Sequence, residues 1–335
     1  MKPLAFEMFA GGGTLGFAFE AGARGVSFSG ASELSPQYLQ AWSAHRPEAD
    51  TFGGDITAFH PAEVSPSRNG AAMILLAGIP CTGASLAGRS KNKLSCAEEH
   101  AKAGHLFIPT LLWIRTHKPE AVVFENVPAY AKSASARSIR DVLSTSGYFL
   151  FETVLDAHQN FSTPSRRKRW VMVATRNRPF HMDVPVNPFV GTLDDYLDPE
   201  SPDDVVFTEA QVAGHAKYIA RKQSENCGWK TTILERDSNS CPTIVRTYYK
   251  VQPVGPFVRC KNSYRMLRPR EIARLHGFPT NLPLPDSNSK AIEILGQGVC
   301  FAPFAYLGEK LAAFFSEIGK PIQIRSANQQ MDFAF

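Results

Sequence analysis

No CxxC pair occurs in this chain, and its six cysteines, at 81, 96, 227, 241, 260 and 300, are widely scattered. That spacing argues against a zinc ribbon or a disulfide framework, so a reducing compartment is expected. The chain also lacks a charged start followed by an apolar stretch, and it has no run of about 18 apolar residues. Neither a secretory leader nor a membrane-spanning helix is expected, and the expected location is cytoplasmic. Low-complexity linkers and charged tails are missing too. Charge of one sign is scarce: 36 Lys and Arg stand against 31 Asp and Glu, a net of +5 that does not by itself argue for a polyanionic partner. With 44% hydrophobic and 20% charged residues, the chain has the make-up of a packed protein. Its 335 residues suit one full α/β unit plus a smaller one.

The first half alternates short apolar runs with helical stretches, the pattern of βαβ units on a largely parallel sheet. Strands are predicted over 4–9, 25–31, 72–77, 121–125, 148–155 and 170–175, and helices over 14–21, 36–45, 106–117 and 138–146. After Arg178 the texture changes to HMDVPVNPFVG and a mixed segment of little periodicity, so a boundary is expected near 176. YRMLRPREIARLHGFP, from Tyr264 to Pro279, reads as a turn, a helix opening at Pro-Arg-Glu and a stop at Gly277. A last apolar helix is predicted over 302–318.

Phe9, Gly11, Gly13 and Gly16 lie at the end of the first predicted strand, where glycine lets the backbone turn sharply and lets a ligand approach. The spacing is not the dinucleotide GxGxxG, and no Walker lysine follows, so a nucleotide phosphate is not the first choice. Glu33 and Asp55 come where the next strands should end. A carboxylate at the second strand's tip can accept from two ribose hydroxyls, and one at the third from an adenine amine. Either is equally readable as a helix N-cap.

MILLAGIPCTGAS sets Cys81 just past an apolar strand on a loop of small residues. A thiol there can act as a nucleophile if its thiolate is favoured; a lone loop cysteine with no chemistry is the plainer reading. The strand EAVVFENVP then ends in Glu125, Asn126 and Val127, bringing a carboxyl to the same sheet edge as the thiol. Such an acid, donating to an electron-poor ring, makes that ring easier to attack. Arg166, Arg167, Lys168, Arg169, Arg176 and Arg178 follow with no acid among them, a run that also suits a solvated face.

These features, taken in order, resemble the cytosine-C5 DNA methyltransferases. The likeness runs from about residue 4 to 315 and includes FSTPSRRKRW, RMLRPREIARLHGFP and GQGV. It implies a doubly wound, Rossmann-like, S-adenosylmethionine-dependent catalytic domain, 1–176 plus 288–335, around a smaller target-recognition domain, 177–287. It implies that Cys81 attacks C6 of a flipped cytosine, Glu125 contacts N3 and the amine, Arg167 approaches O2 and Arg169 orders the active-site loops. Phe9, Gly11, Gly13, Glu33, Asp55, Ile56, Pro80, Gln297 and Val299 would hold S-adenosyl-L-methionine. Ser85 and Arg89, with Trp229, Arg246, Tyr248, Tyr249 and Lys250, would contact double-stranded DNA, aromatics and cations being interleaved there. The protein would work as a monomer near the nucleoid, without metal or membrane. One branch of the family acts on tRNA with the same catalytic groups.

Several positions depart from the family pattern. Thr82 and Ala84 replace its Gln and Phe, Ser165 its Gln, Gln297 its Asn, and Ala103-Gly104 its Arg-Gly. None removes Cys81, Glu125 or Arg167. A modified cytosine or a donor with a substituted methyl group would also accommodate these changes.

Overall fold

Short runs rich in apolar residues become the central strands because both sheet faces are covered, so nearly every position must be apolar. In the computed structural model, which describes residues 2–66, 70–80, 104–202, 204, 206–225, 228, 230–260 and 263–317, they form β1 (Leu4–Met8), β2 (Ser27–Glu33), β3 (Asp50–Gly53), β4 (Met73–Ala77), β5 (Ala121–Asn126), β6 (Phe149–Asp156) and β7 (Lys168–Thr175). The sheet order is β3-β2-β1-β4-β5-β7-β6. The first five strands pair in parallel. β7 runs antiparallel to both β5 and β6. From β1 the chain builds outward one way to β3 and then the other way from β4. The ends of β1 and β4 therefore flank a topological switch point, where an open α/β sheet has its crevice.

The helices are α1 (Thr14–Gly22), α2 (Pro36–Ser43), α3 (Phe107–His117), α4 (Ala134–Thr145), the short α5 (Ala157–Asn160), α6 (Glu209–Ser224), α7 (Pro269–Leu275), α8 (Asn288–Gln297) and α9 (Phe301–Ser316). One apolar layer, with Leu15, Phe19, Leu307 and Leu311, covers one sheet face. The other, with Phe6, Met8, Trp113 and Leu143, covers the opposite face. α9 returns from the far end of the sequence to lie on α1. The approach is close enough that a Cβ at Gly22 would stand 1.7 Å from the Ala305 carbonyl oxygen.

The mixed segment builds a small sheet of β8 (Ile233–Leu234), β9 (Phe257–Cys260) and β10 (Ser263–Arg265), ordered β10-β9-β8. Phe207, Phe257 and Tyr264 form its own apolar cluster.

The α/β reading is borne out, and most boundaries lie within two residues of the expected ones. α4 starts four residues before the expected Ser138, because the Ser133 hydroxyl accepts from Ala136 N–H at 3.0 Å and caps it. α6 was not anticipated. Only its Ile219 is buried, so it carries almost no apolar stripe. The readable signal was the capping box of Thr208 and Gln211.

Candidate active site

After Met8 the backbone turns through left-handed conformations. Gly11 has φ +54° and Gly13 φ +81°. Phe9 also has a positive φ, 57°, a conformation kept in non-glycine residues mainly where a site requires it. A Cβ at Gly11 would lie 3.1 Å from Gln297 Nε2, so the Gln297 amide rests against this turn. Glu33, the last residue of β2, accepts from Gly11 N–H at 2.9 Å on one oxygen and from Ser35 N–H at 2.9 Å on the other. Those bonds fix the carboxylate, and each oxygen retains a lone pair for a further donor. The Gly54 N–H donates to the Glu33 carbonyl at 3.1 Å, which aligns the end of β3 beside it. Asp55 caps the 3₁₀ turn Ile56–Ala58: one oxygen accepts from Thr57 N–H at 3.0 Å and from the Thr57 hydroxyl at 2.8 Å. Those two bonds hold its carboxyl below the usual value. Its capping reading is therefore realised, and one oxygen does all of it. Ile56 is half-buried against the Phe6 layer, and Pro80 is half-buried at the end of the described loop. Val299, expected beside a cofactor, is 2% exposed and sits in the core, its N–H 3.4 Å from Thr14 Oγ1. Its side chain packs behind the glycine turn.

At the next edge of the switch point stands Glu125. In the β5–β7 ladder Glu125 is opposite Val171, and strand periodicity puts Arg169, two residues earlier, on the same face. Arg169 Nε lies 2.6 Å from Glu125 Oε1, with both side chains largely buried, 10% and 13% exposed. Burial raises the carboxyl's pKa, while Arg169 and then Arg167 pull it back. The acid is thereby held nearer its neutral, proton-donating form than a surface Glu. A Cβ at Gly78 would lie 3.6 Å from Glu125 Oε2, so the carboxyl adjoins the segment that leads, three residues later, to Cys81. Asn126, whose role the sequence reading left open, donates from Nδ2 to Ile79 O at 3.0 Å and accepts from Val127 N–H at 2.9 Å. It pins the same segment to the end of β5.

Arg167, expected to approach the base, is engaged by backbone carbonyls. It is 3% exposed, and its guanidinium donates to the carbonyls of Ile244 at 2.9 Å, Gly296 at 3.0 Å and Gly298 at 2.9 Å. Its guanidinium thus ties two distant segments together behind the acid. Arg169 is the arginine at the acid; Arg167 is the rivet behind it. Beside them His276 is fully buried, and burial first, then the two arginines, keep its imidazole neutral.

Beneath the glycine turn Glu7 is 1% exposed. It accepts from Gly16 N–H at 3.1 Å and from Trp42 Nε1 at 2.7 Å. Burial raises its pKa to about 7, opposed by Arg46 and by these donors. Because the folded-state pKa lies above the unfolded one, the folded protein binds more protons between about pH 4.5 and 7, and Glu7 lowers stability as pH rises through that window. Glu7→Gln should lose acceptor strength but also this slope. In urea unfolding at pH 5 and pH 8, the stability gap between wild type and variant should narrow by up to about 3 kcal/mol at the higher pH. An equal gap at both would refute the assignment.

Of the residues expected to meet DNA, Cys81, Ser85, Arg89 and Trp229 lie outside the described residues, as do Thr82, Ala84 and Ala103. Arg246 and Lys250 are exposed. Arg246 stands over the Tyr38 ring, 5.9 Å from its centroid, and Lys250 Nζ is 5.6 Å from that of Tyr249. These residues adjoin the Arg167-held turn, since a Cβ at Gly296 would meet Val245 O at 2.5 Å. Tyr248 corrects the expectation: it is 3% exposed, donating to Pro256 O at 2.6 Å and accepting from Leu267 N–H at 2.9 Å. Its ring belongs to the core, and Arg246, Tyr249 and Lys250 carry the polar surface of the segment.

The model of the C-5 cytosine-specific DNA methylase family matches residues 5–313. The chain is similar to Type II methyltransferase M.DsaV of Dactylococcopsis salina, 27% identical over 93% of this chain and 87% of that one. It is also 26% identical to Type II methyltransferase M.NlaX of Neisseria lactamica, over 93% of this chain and 97% of the relative. Among solved structures, the S. pombe Dnmt2 methyltransferase superposes with a TM-score of 0.72 at 20% identity, covering 94% of this chain and 99% of that chain. The Entamoeba histolytica methyltransferase EhMeth gives 0.73 at 18% identity, with coverage of 94% and 99%.

Proposed function

The chain belongs to the C-5 cytosine-specific DNA methylase family, which methylates carbon 5 of cytosine with S-adenosylmethionine, and from that premise we propose how its own residues carry the reaction. Cys81 adds to C6 of a cytosine turned out of the duplex. Glu125 donates a proton to N3 as the thiolate adds, so that the ring becomes an enamine with its nucleophilic carbon at C5. Arg169 holds the carboxyl in place and stabilises the carboxylate that remains once Glu125 has given its proton. Once C5 carries the methyl group, the N3 proton returns to Glu125, water takes the C5 proton, and Cys81 leaves as thiolate, which restores the aromatic ring. The pair carrying this reading is Arg169 Nε and Glu125 Oε1 at 2.6 Å, beside the segment that leads to Cys81.

The crevice fits the donor. Glu33's carboxylate, fixed by two N–H groups, suits a ribose diol, and Asp55's second oxygen suits an amine. Gly11 lets the chain pass close beneath the amino-acid end, and Phe9, Ile56 and Pro80 supply apolar walls. When bound, S-adenosylmethionine supplies an electrophilic methyl group. We assign target reading to 177–287, with Arg246, Tyr249 and Lys250 on its near edge, and action on DNA of the nucleoid.

Duplex DNA incubated with the protein and S-adenosylmethionine should yield 5-methyl-2′-deoxycytidine on nucleoside mass spectrometry. Wild type should also be trapped covalently on duplex DNA containing 5-fluorocytosine, and Cys81→Ala should give neither product nor adduct. Product from Cys81→Ala, or absence of the wild-type adduct, would sink the mechanism.

A further inference from the structure

The cationic run after Arg166 is only partly used by the site. Arg167 and Arg169 sit at the start of β7, but the strand carries Arg176 to the opposite end of the sheet, about 23 Å from Arg169. There a cleft of about 360 Å³ opens between the C-terminal ends of α3 and α4. Its floor includes the buried Ile114, Leu143 and Tyr148. Arg115, Lys118 and Arg176 stand round it, all exposed, and no acid is among its lining residues that the structure describes.

One cation at a helix C-terminus is ordinary, since it faces the negative end of the helix dipole. Three cations converging on one apolar floor exceed that need. Two neighbouring acids are turned elsewhere or lie outside the lining: Glu120 accepts from Met73 N–H on the next strand, and Asp141 is not part of the cleft wall. Lys118 caps α3 with φ 46°, in the left-handed conformation that glycine adopts with less strain. Its carbonyl accepts from the Arg176 guanidinium Nη1 at 3.3 Å, and Arg176 N–H donates to Glu120 O at 3.1 Å, so Arg176 is fixed to the segment that follows α3. The volume is in the lower part of the range of small-molecule sites, about 300–1,000 Å³.

We infer that this cleft is a second binding site, for a small amphipathic anion whose acidic head meets Arg115, Lys118 and Arg176 while its hydrocarbon or aromatic body packs on half-buried Val142, above the buried Ile114, Leu143 and Tyr148. Both parts of the ligand are needed. The apolar floor gives nothing to a bare ion, and the cations give nothing to a neutral hydrocarbon.

Titration calorimetry with phenyl phosphate, inorganic phosphate and phenol tests this on the full chain. Phenyl phosphate should saturate one site at least tenfold more tightly than either of the other two. Arg115→Ala, Lys118→Ala and Arg176→Ala combined should weaken it at least tenfold, with DNA methylation within twofold of wild type. Val142→Trp, which narrows the cleft while keeping every cation, should weaken it comparably. Lys118→Gly, matched to the local backbone, should weaken it severalfold without loss of fold. Phenyl phosphate binding no tighter than inorganic phosphate, or unchanged binding in the triple variant or in Val142→Trp, would overturn the site.

Discussion

Glu125→Gln should slow methyl transfer by about 10²- to 10⁴-fold, the range that a positioned general acid supplies. The amide preserves the size of the carboxyl and can still donate an N–H bond to a ring nitrogen, but it has no proton to give. Burial is what suits the wild-type group to this task, because it lifts the carboxyl's pKa against the pull of Arg169 and Arg167. Activity that depends on protonated Glu125 is present at low pH and is lost as pH rises through its raised pKa. The limb of the pH–rate profile set by this group should therefore vanish in the variant, leaving the opposite limb, set by ionisation of Cys81. Single-turnover transfer from labelled S-adenosylmethionine, followed across pH, reads both effects. A variant keeping more than a tenth of wild-type activity, or an unaltered profile, would remove Glu125 from the chemistry.

The second large effect is on stability. Arg167→Ala should destabilise the fold by about 3–5 kcal/mol, as expected when a buried charged donor is removed from its acceptors. The carbonyls of Ile244, Gly296 and Gly298 lose their donor together. The turn they shape carries Gln297 against Gly11, so affinity for S-adenosylmethionine should fall as well. Arg167→Lys should recover only part, because an ammonium cannot span three acceptors as a planar guanidinium does. Arg169→Ala should behave in the opposite sense, with a greater loss of turnover and a smaller loss of stability. Urea unfolding beside calorimetric binding separates the cases. If Arg167→Ala proves as stable as wild type yet inactive, Arg167 belongs at the base after all.

The legible parts of this protein are those whose physics is local. Apolar runs bounded by polar turns located the strands, and Gly11 and Gly13 do take the left-handed angles that a sharp turn after β1 requires. Glu33 ends β2, where the strand pattern placed an acid at a sheet tip. α6 escaped notice because its stability owes little to an apolar stripe and much to its cap. Tyr248 was misread because a tyrosine between cations looks like surface. Its hydroxyl finds two backbone partners, at Pro256 and Leu267, that lie beyond any local pattern.

By itself the sequence determined the family, the α/β class and the kinds of group at each strand end, since these follow from residue types in a set order. Only the tertiary structure pairs Arg169 with Glu125 and Arg167 with the turn carbonyls. That choice rests on Val171 pairing with Glu125 across the sheet, and on a turn about 130 residues further along closing over Arg167. Side-chain direction repeats along a strand and can be read locally, whereas a partner is chosen by packing between distant segments, which no short pattern encodes.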